Sequence, residues 1–179
     1  METKPIEKEK KQHKLLKIII FFILFLIIIT LYSRFIATKG LIVKEYKLVN
    51  ENFNDNFYGM KIVHLSDLHY LETTSKKDLE KIIDEINLLK PDIVFITGDL
   101  YSIELSKDDQ NDLQKNLANI NCNIGKYAIK GNHDNDENWN KIISNTGFID
   151  LNNSYDLIYN NYNSIFIAGI NTEDDINES

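Results

Sequence analysis

Blocks of apolar and polar residues predict one apolar helix near the N-terminus and an alternating α/β domain after it. The apolar helix centres on 18–29, an unbroken apolar run that continues to Tyr32 and stops at Arg34. Further along, short β-branched runs alternate with segments whose apolar residues recur every three or four positions, which is typical of strands and helices in turn. The predicted strands are 41–49, 60–65, 93–97, 126–129, 155–159 and 164–170, and the predicted helices are 78–90, 107–119 and 135–144.

The order of these elements predicts the fold class. From residue 60 onward it is β-α-β-α-β-α-β-β, which favours parallel strands with helices outside, an α/β fold. The segment 41–49 begins apolar and then partly alternates, so it is expected to be an edge strand, followed by a loop at 50–56. Either Ser75 or Asp78 can cap the first domain helix, and Pro91 closes it. No linker rich in Gly, Ser or Pro divides 35–179, so this range is interpreted as one domain.

The apolar N-terminal segment is interpreted as a membrane anchor. Residues 15–32 carry a single charge, Lys17, which can snorkel to the surface, and their length approaches the roughly 20 residues that cross a bilayer core. A cleaved signal peptide is the alternative, but no small-x-small cleavage site follows the run, so an uncleaved anchor is favoured. The sequence thus predicts a basic cytoplasmic tail at 1–14 and a single-pass transmembrane anchor at 15–34 in the cell membrane. Lysines before the anchor predict a cytoplasmic N-terminus and a domain on the outer face.

Charge and cysteine content narrow the range of partners. Residues 1–34 carry seven basic and three acidic groups, whereas 35–179 carry 13 Lys and 24 Asp or Glu. Nucleic-acid backbones call for a basic surface, so no nucleic-acid partner is expected for this acidic domain. Cys122 is the only cysteine, so the fold forms without an intramolecular disulfide.

Three polar motifs follow three of the predicted strands. They are Asp67-Leu68-His69, Gly98-Asp99 and Gly131-Asn132-His133-Asp134. Ligands in open α/β sheets bind outside the carboxyl ends of strands, so the three motifs are expected to meet at one edge of the sheet. Asp, His and Asn side chains bind divalent metals of intermediate hardness, and the combination predicts a two-metal phosphoesterase.

Each motif alone is also compatible with a structural role. Asp67 and Asp99 could be ordinary turn residues, and Asn132 or Asp134 could cap the following helix. The shared order, loop placement and spacing of all three motifs favour the functional interpretation. His64 falls inside a predicted strand and is interpreted as a structural histidine with satisfied hydrogen bonds.

The motifs resemble those of the calcineurin-like metallophosphoesterase superfamily. Residues 63–69, 96–99 and 130–134 are similar to its first three motifs, and 169–171 is similar to a later structural segment. Among its members, the chain most resembles the membrane-anchored bacterial phosphodiesterase branch. The resemblance implies an αββα sandwich, two sheets between helical layers, of which this sequence represents the N-terminal half preceded by one transmembrane helix.

The resemblance also implies a role for each site residue. Asp67 and His69 would bind a first metal, Asp99 would bridge two metals, and Asn132 would bind the second. His133 would be the general acid that faces the leaving group. The implied cofactors are two divalent ions, with Mn, Fe, Co or Zn better suited than Ca or Mg to this mixed oxygen and nitrogen set. Some relatives carry, three residues after the bridging carboxylate, an Asp that steadies the catalytic His; Ser102 stands there in this chain.

The sequence departs from the superfamily in its histidines. The fourth and fifth motifs of the superfamily supply three further histidine ligands, but no histidine follows His133 here. The domain at 35–179 is therefore expected to be C-terminally truncated. One hypothesis is a membrane-tethered phosphodiesterase, acting on lipid head groups or envelope components, that is completed by a missing part or a separate C-terminal half. The alternatives are an inactive membrane-anchored remnant, and an α/β binding module whose motifs are accidental.

Overall fold

The computed structural model describes residues 5–33, 40–134, 136–160 and 162–171, and it divides into two compact units, Met1–Lys47 and Leu48–Ser179. The first unit contains helix α1, Pro5–Tyr32. Its segment His13–Tyr32 is exposed throughout, and its 20 residues are long and apolar enough to cross a membrane. At about 1.5 Å per residue such a segment spans roughly the 30 Å of a bilayer core. The predicted apolar helix is confirmed, whereas the predicted tail and orientation stay predictions.

The second unit alternates strands and helices in the predicted order, with one additional strand. Its elements are a short 3-10 helix at Asp55–Phe57, β1 Ile62–Leu65, α2 Lys76–Leu89, β2 Ile93–Thr97, α3 Lys107–Ala118, β3 Gly125–Ile129, α4 Asp136–Ile143, β4 Phe148–Asp150, β5 Ser154–Asn160 and β6 Asn163–Gly169. Strands β1 to β4 form a parallel sheet in chain order, and β5 and β6 form an antiparallel hairpin. The predicted α/β class is confirmed.

One face of the four-stranded sheet is covered by all three helices of this unit. Each contributes fully buried apolar side chains, among them Leu79 of α2, Leu113 of α3 and Trp139 of α4. They form one cluster with Val94 and Ile96, the alternate residues of β2 that point to this face. Since consecutive helices all lie on the same side, the opposite face of the sheet is left for another layer.

The β5–β6 hairpin covers that opposite face. Ile93 and Tyr127 of the sheet form a second buried cluster with Ile158 of β5 and with Leu151, which follows β4. The Tyr127 hydroxyl donates a hydrogen bond to Asp156 Oδ2 of the hairpin at 3.1 Å. The described residues of the second unit thus form three layers, helices, sheet and hairpin, as expected for the N-terminal half of an αββα sandwich.

Three details of the sequence interpretation need correction or refinement. The predicted strand at 41–49 is wrong, because these residues form no strand. Within the described residues β1 pairs only with β2, so the segment 41–49 has no neighbouring strand with which to form backbone hydrogen bonds. The three-residue strand β4 was not predicted, being too short to show a period. Ser75, rather than Asp78, is the N-cap of α2, and its hydroxyl accepts from the Asp78 N–H at 3.2 Å.

Candidate metal centre

The loops after β1 and β2 are fastened together by backbone hydrogen bonds. The N–H of Asp67 donates to the Gly98 carbonyl at 3.2 Å, and the N–H of His69 donates to the Asp99 carbonyl at 2.9 Å. A third bond joins the Tyr70 N–H to Leu100 at 2.8 Å. Because the parallel strands end at the same edge, the pairing continues into the loops, and it brings the first two motifs side by side.

Three site residues have left-handed backbone conformations. The φ angles are 55° at Asp67, 40° at His69 and 54° at Asp99. Such conformations are uncommon for residues other than glycine, although Asp and His adopt them more often than most. They persist where the surroundings dictate them, and non-glycine residues of this kind cluster at functional sites. The left-handed backbone here coincides with the predicted metal ligands.

Two glycines allow the loop after β3 to approach the other two. A Cβ atom at Gly98 would lie 2.5 Å from the backbone of Gly131, and φ at Gly98 is +84°. In the same way, a Cβ atom at Gly131 would overlap the carboxylate of Asp99. Only glycine fits at both positions, so these residues permit the convergence of the second and third motifs.

Asp134 holds these two loops in place. Its side chain is buried and accepts hydrogen bonds from the N–H groups of Asp99 at 2.8 Å, Leu100 at 2.9 Å, Tyr101 at 3.3 Å and Gly131 at 2.9 Å. Burial raises the pKa of this carboxyl group, and the four backbone donors oppose that rise. Within the described residues the partners of Asp134 are thus the site loops, and its alternative role as a helix cap stays a prediction.

The side chains of Asp67, His69 and Asp99 converge. One ligand atom from each lies within 4.8 Å of the others, and His69 Nε2 is 3.9 Å from Asp67 Oδ1 and 3.9 Å from Asp99 Oδ2. These separations are too long for hydrogen bonds, but two ligands that are each about 2.1 Å from one ion can be up to about 4.2 Å apart. The separations of these two carboxylates and one imidazole therefore suit ligands of one transition-metal ion better than they suit direct hydrogen bonds among the side chains.

The exposure of the three side chains suits a site that opens to solvent. Asp99 is 14% exposed and His69 is 22% exposed, whereas Asp67 is 66% exposed. Asp67 is therefore the member of the cluster that is most open to solvent.

The third motif places His133 beside the same cluster. The N–H of His133 donates to Asp99 Oδ1 at 3.2 Å, and the ring of His133 lies 5.7 Å from the ring of His69, centre to centre. Asn132 is exposed in the same loop, between Gly131 and His133. All five predicted site residues thus lie in the three loops, with four of them in measured proximity, while their roles stay predictions.

Ser102 has a different neighbour from the one the resemblance implies. Its Oγ atom lies 2.8 Å from Nδ1 of His69, so it supports a predicted ligand instead of the predicted general acid. The same hydroxyl also bonds Glu72, a residue that the sequence interpretation did not select. Glu72 could not be selected from the sequence because it belongs to none of the three motifs. Its position beside His69 depends on how the chain turns after His69.

His64 lies on β1 near the site but is not buried. Its side chain is exposed, and Nε2 lies 2.6 Å from the hydroxyl of Thr97 on the neighbouring strand. His64 thus lies within a strand and has a hydrogen-bond partner, as the sequence interpretation expected.

Comparison with known proteins matches this chain to one family model and to several curated relatives. The model of the calcineurin-like phosphoesterase family matches residues 60–177, which include all three motifs. A transmembrane protein with metallophosphoesterase domain from Danio rerio is 26% identical over 136 residues, 74% of this chain and 31% of that protein.

Two bacterial relatives are also similar. The uncharacterized metallophosphoesterase YkuE of Bacillus subtilis is 30% identical over 103 residues, 58% of this chain and 36% of its own length. The UDP-2,3-diacylglucosamine pyrophosphatase LpxG of Chlamydia muridarum is 34% identical over 79 residues, 44% of this chain and 24% of its own length. The chain spans about a quarter to a third of the length of the curated relatives it matches.

Proposed function

Since the chain belongs to the calcineurin-like phosphoesterase family, we propose that it is a metal-dependent phosphoesterase that hydrolyses phosphodiester or pyrophosphate bonds close to a membrane. The observation that carries the proposal is the convergence of Asp67, His69 and Asp99 to within 4.8 Å at the ends of two adjacent strands. A divalent ion bound there would supply a hydroxide nucleophile at neutral pH and would neutralise charge on the phosphoryl oxygens.

Each residue of the site has a distinct part in this proposal. Asp67 and His69 would hold the first ion, and Asp99 would contribute to holding both this ion and a second one. Asn132 offers a neutral amide oxygen to the second ion. His133, whose ring lies 5.7 Å from that of His69, donates a proton to the leaving-group oxygen as general acid.

The two ions are expected to differ in affinity. Three convergent side chains hold the first, whereas Asp99 and Asn132 are the only proposed ligands of the second among the described residues. We propose that the second ion binds more weakly to this chain and that a further polypeptide, such as a separate C-terminal half, tightens it. Turnover by the chain itself then calls for excess metal ion.

The proposed location is the membrane surface, and the proposed substrate is a lipid-linked or envelope phosphoester. Helix α1 contains a 20-residue segment able to span a bilayer, and the Danio rerio relative is a transmembrane protein by name. The Chlamydia muridarum relative is named for a pyrophosphatase activity on an acylated sugar nucleotide. Lysines before the apolar segment His13–Tyr32 favour a cytoplasmic N-terminus, which would place the site on the outer face.

The test is hydrolysis of bis(p-nitrophenyl) phosphate by the full chain in lipid nanodiscs, with Mn²⁺ added to millimolar excess. We expect release of p-nitrophenol that depends on Mn²⁺ and that Asp99→Asn abolishes together with metal binding. His133→Gln should keep metal binding and lower kcat by roughly 100-fold or more, the usual contribution of a general acid. Asp84→Asn, the same chemical change on the exposed surface of α2, should leave both unchanged.

Two results would contradict the proposal in different ways. Bound Mn²⁺ without Mn²⁺-dependent hydrolysis would favour a non-catalytic cation-binding chain. Equal loss of metal binding in Asp99→Asn and His133→Gln would contradict the separate roles of ligand and general acid.

A further inference from the structure

The imidazole of His69 has two ring nitrogens that face different partners. Nε2 faces the carboxylates of Asp67 and Asp99, each 3.9 Å away. Nδ1 faces the opposite way, toward Ser102 Oγ at 2.8 Å and Glu72 Oε2 at 3.7 Å. A neutral imidazole carries its proton on only one of its two nitrogens. A partner that keeps this proton on Nδ1 therefore leaves the lone pair of Nε2 free to bind a cation.

The hydrogen bonds settle which nitrogen carries the proton. A carboxylate can only accept, so the hydroxyl proton of Ser102 is donated to Glu72 Oε2. The Ser102 oxygen then has lone pairs, and no proton, left for His69. It follows that Nδ1 of His69 donates to Ser102 Oγ across the 2.8 Å contact and that Nε2 carries the lone pair.

We call Ser102 and Glu72 together the relay, and both residues are placed by local backbone structure. The N–H groups of Glu72 and Thr73 donate to the carbonyl of His69, each at 3.0 Å, which closes a tight turn. Leu71, within that turn, has a left-handed φ of 67°. The turn brings the Glu72 carboxylate to the Nδ1 side of the His69 ring, opposite to the Nε2 side that faces Asp67 and Asp99.

Ser102 reaches the same ring from the loop after β2. The bond from the Tyr70 N–H to the Leu100 carbonyl fixes that loop beside the turn, and Asp134 accepts from the Tyr101 N–H at 3.3 Å. The peptide group between Leu100 and Tyr101 is therefore held from both sides, next to Ser102. A serine at this position is short enough to lie between His69 and Glu72.

We propose that Ser102 and Glu72 are positioning residues that hold His69 in its Nδ1–H tautomer and aim Nε2 at the cation shared with Asp67 and Asp99. This inference rests on the proposed metal site and deepens it. Histidine ligands of metals generally donate their second N–H to a carboxylate, carbonyl or water, and loss of that partner costs roughly 10- to 100-fold in metal affinity. Here the carboxylate acts through an intervening hydroxyl.

The first test is Mn²⁺ affinity, measured by calorimetry on the full chain in nanodiscs. We expect Ser102→Ala to weaken binding by about 10-fold, within the range seen for such partners, and Ser102→Thr to restore it because the hydroxyl returns. Glu72→Gln should weaken binding less than Ser102→Ala, since a neutral amide can still accept from the serine. Ser144→Ala, on an exposed serine that bonds only a local carbonyl, is the matched control.

The second test determines the tautomer without any metal. Long-range ¹H–¹⁵N spectra of the full chain in detergent should show His69 protonated at Nδ1, with its signals assigned by their loss in His69→Gln. In Ser102→Ala the population protonated at Nε2 should rise, and in Ser102→Thr it should not.

The outcomes separate this inference from the proposed function. Unchanged Mn²⁺ affinity and an unchanged tautomer in Ser102→Ala would overturn the relay and leave the metal site standing. Complete loss of binding in Glu72→Gln would overturn it as well, because Glu72 would then be a ligand. A wild-type chain that binds no Mn²⁺ but shows the Nδ1–H tautomer would defeat the proposed function and preserve the relay.

Discussion

The two faces of the parallel sheet are covered to different degrees. Three helices seal one face, where Leu113, Trp139 and Ile96 are at most 1% exposed. The hairpin seals the other face only in part, and its own outer surface presents Tyr155, 65% exposed, and Phe166, 61% exposed, as a stacked pair with ring centres 5.1 Å apart. We infer that the helix layer contributes most of the free energy of folding, whereas the hairpin layer leaves apolar side chains exposed to solvent.

The largest expected effect comes from the helix-covered face. Leu113→Ala leaves a cavity among α3 and its neighbours and should lower the free energy of unfolding by about 3 kcal/mol. Leu157→Ala is the same change on the outer surface of the hairpin, where the side chain is 38% exposed, and it should cost less than about 1 kcal/mol. Urea unfolding followed by the fluorescence of Trp139, the only tryptophan, measures both. Equal costs would contradict the difference between the two faces.

A smaller effect is expected at Gly98, in the loop after β2, and Gly59, before β1, is its control. Gly59→Ala should cost about 1 kcal/mol, because φ is +77° there but a Cβ atom meets nothing within 4 Å. Gly98→Ala has the same backbone penalty and adds overlap with the Gly131 backbone, so it should cost at least about 1 kcal/mol more. It should also weaken Mn²⁺ binding, which Gly59→Ala should not. Identical unfolding and binding in the two variants would show that the loops do not need this close approach.

The contact between sheet and hairpin gives a pH-dependent prediction. Burial, followed by the hydrogen bond to Asp156, raises the pKa of Tyr127 from 10.0 to about 12. A pKa that is higher in the folded state stabilises the fold below pH 10, and this contribution is lost as the pH rises toward 12. Tyr127→Phe should cost about 1 kcal/mol at pH 8 and less at pH 11. Urea unfolding of both proteins at each pH is the measurement, and a gap that widens at pH 11 would contradict the assignment.

The smallest effect on stability is expected at the outer surface of the hairpin. Tyr155→Ser should change the free energy of unfolding by less than about 0.5 kcal/mol, because the side chain is mostly exposed. It should nevertheless lower self-association, since a contiguous exposed apolar patch favours it. Sedimentation velocity in detergent compares the variant with the wild type. A large loss of stability would mean that this surface is part of the fold's core.

The sequence predicted the strands of the sheet and of the hairpin better than it predicted which segments pair. Strands such as Ile93–Thr97 consist mainly of β-branched residues and are bounded by Gly98 or Pro91, so both their type and their ends can be predicted. The segment 41–49 has an equally strand-like pattern but forms none, because pairing depends on a partner that local pattern does not reveal. The exposure of His64 likewise depends on β1 lying at the sheet edge.

The candidate site was predictable as a set of loops, but not in its supporting contacts. Strand ends and polar motifs placed Asp67, His69 and Asp99 together. By contrast, the contact of Ser102 with His69 depends on side-chain rotamers and on the left-handed turn after His69, which no motif encodes. Supporting residues of this kind become visible only in three dimensions.

The central claim, that Asp67, His69 and Asp99 hold one cation together, is tested most directly by Mn²⁺ calorimetry on the full chain and on two matched variants. We predict that the wild type binds Mn²⁺, that Asp99→Asn abolishes binding because a carboxylate ligand is removed, and that Asp84→Asn has no effect. Equal weakening in Asp99→Asn and Asp84→Asn would attribute the binding to net negative charge and would contradict the shared site.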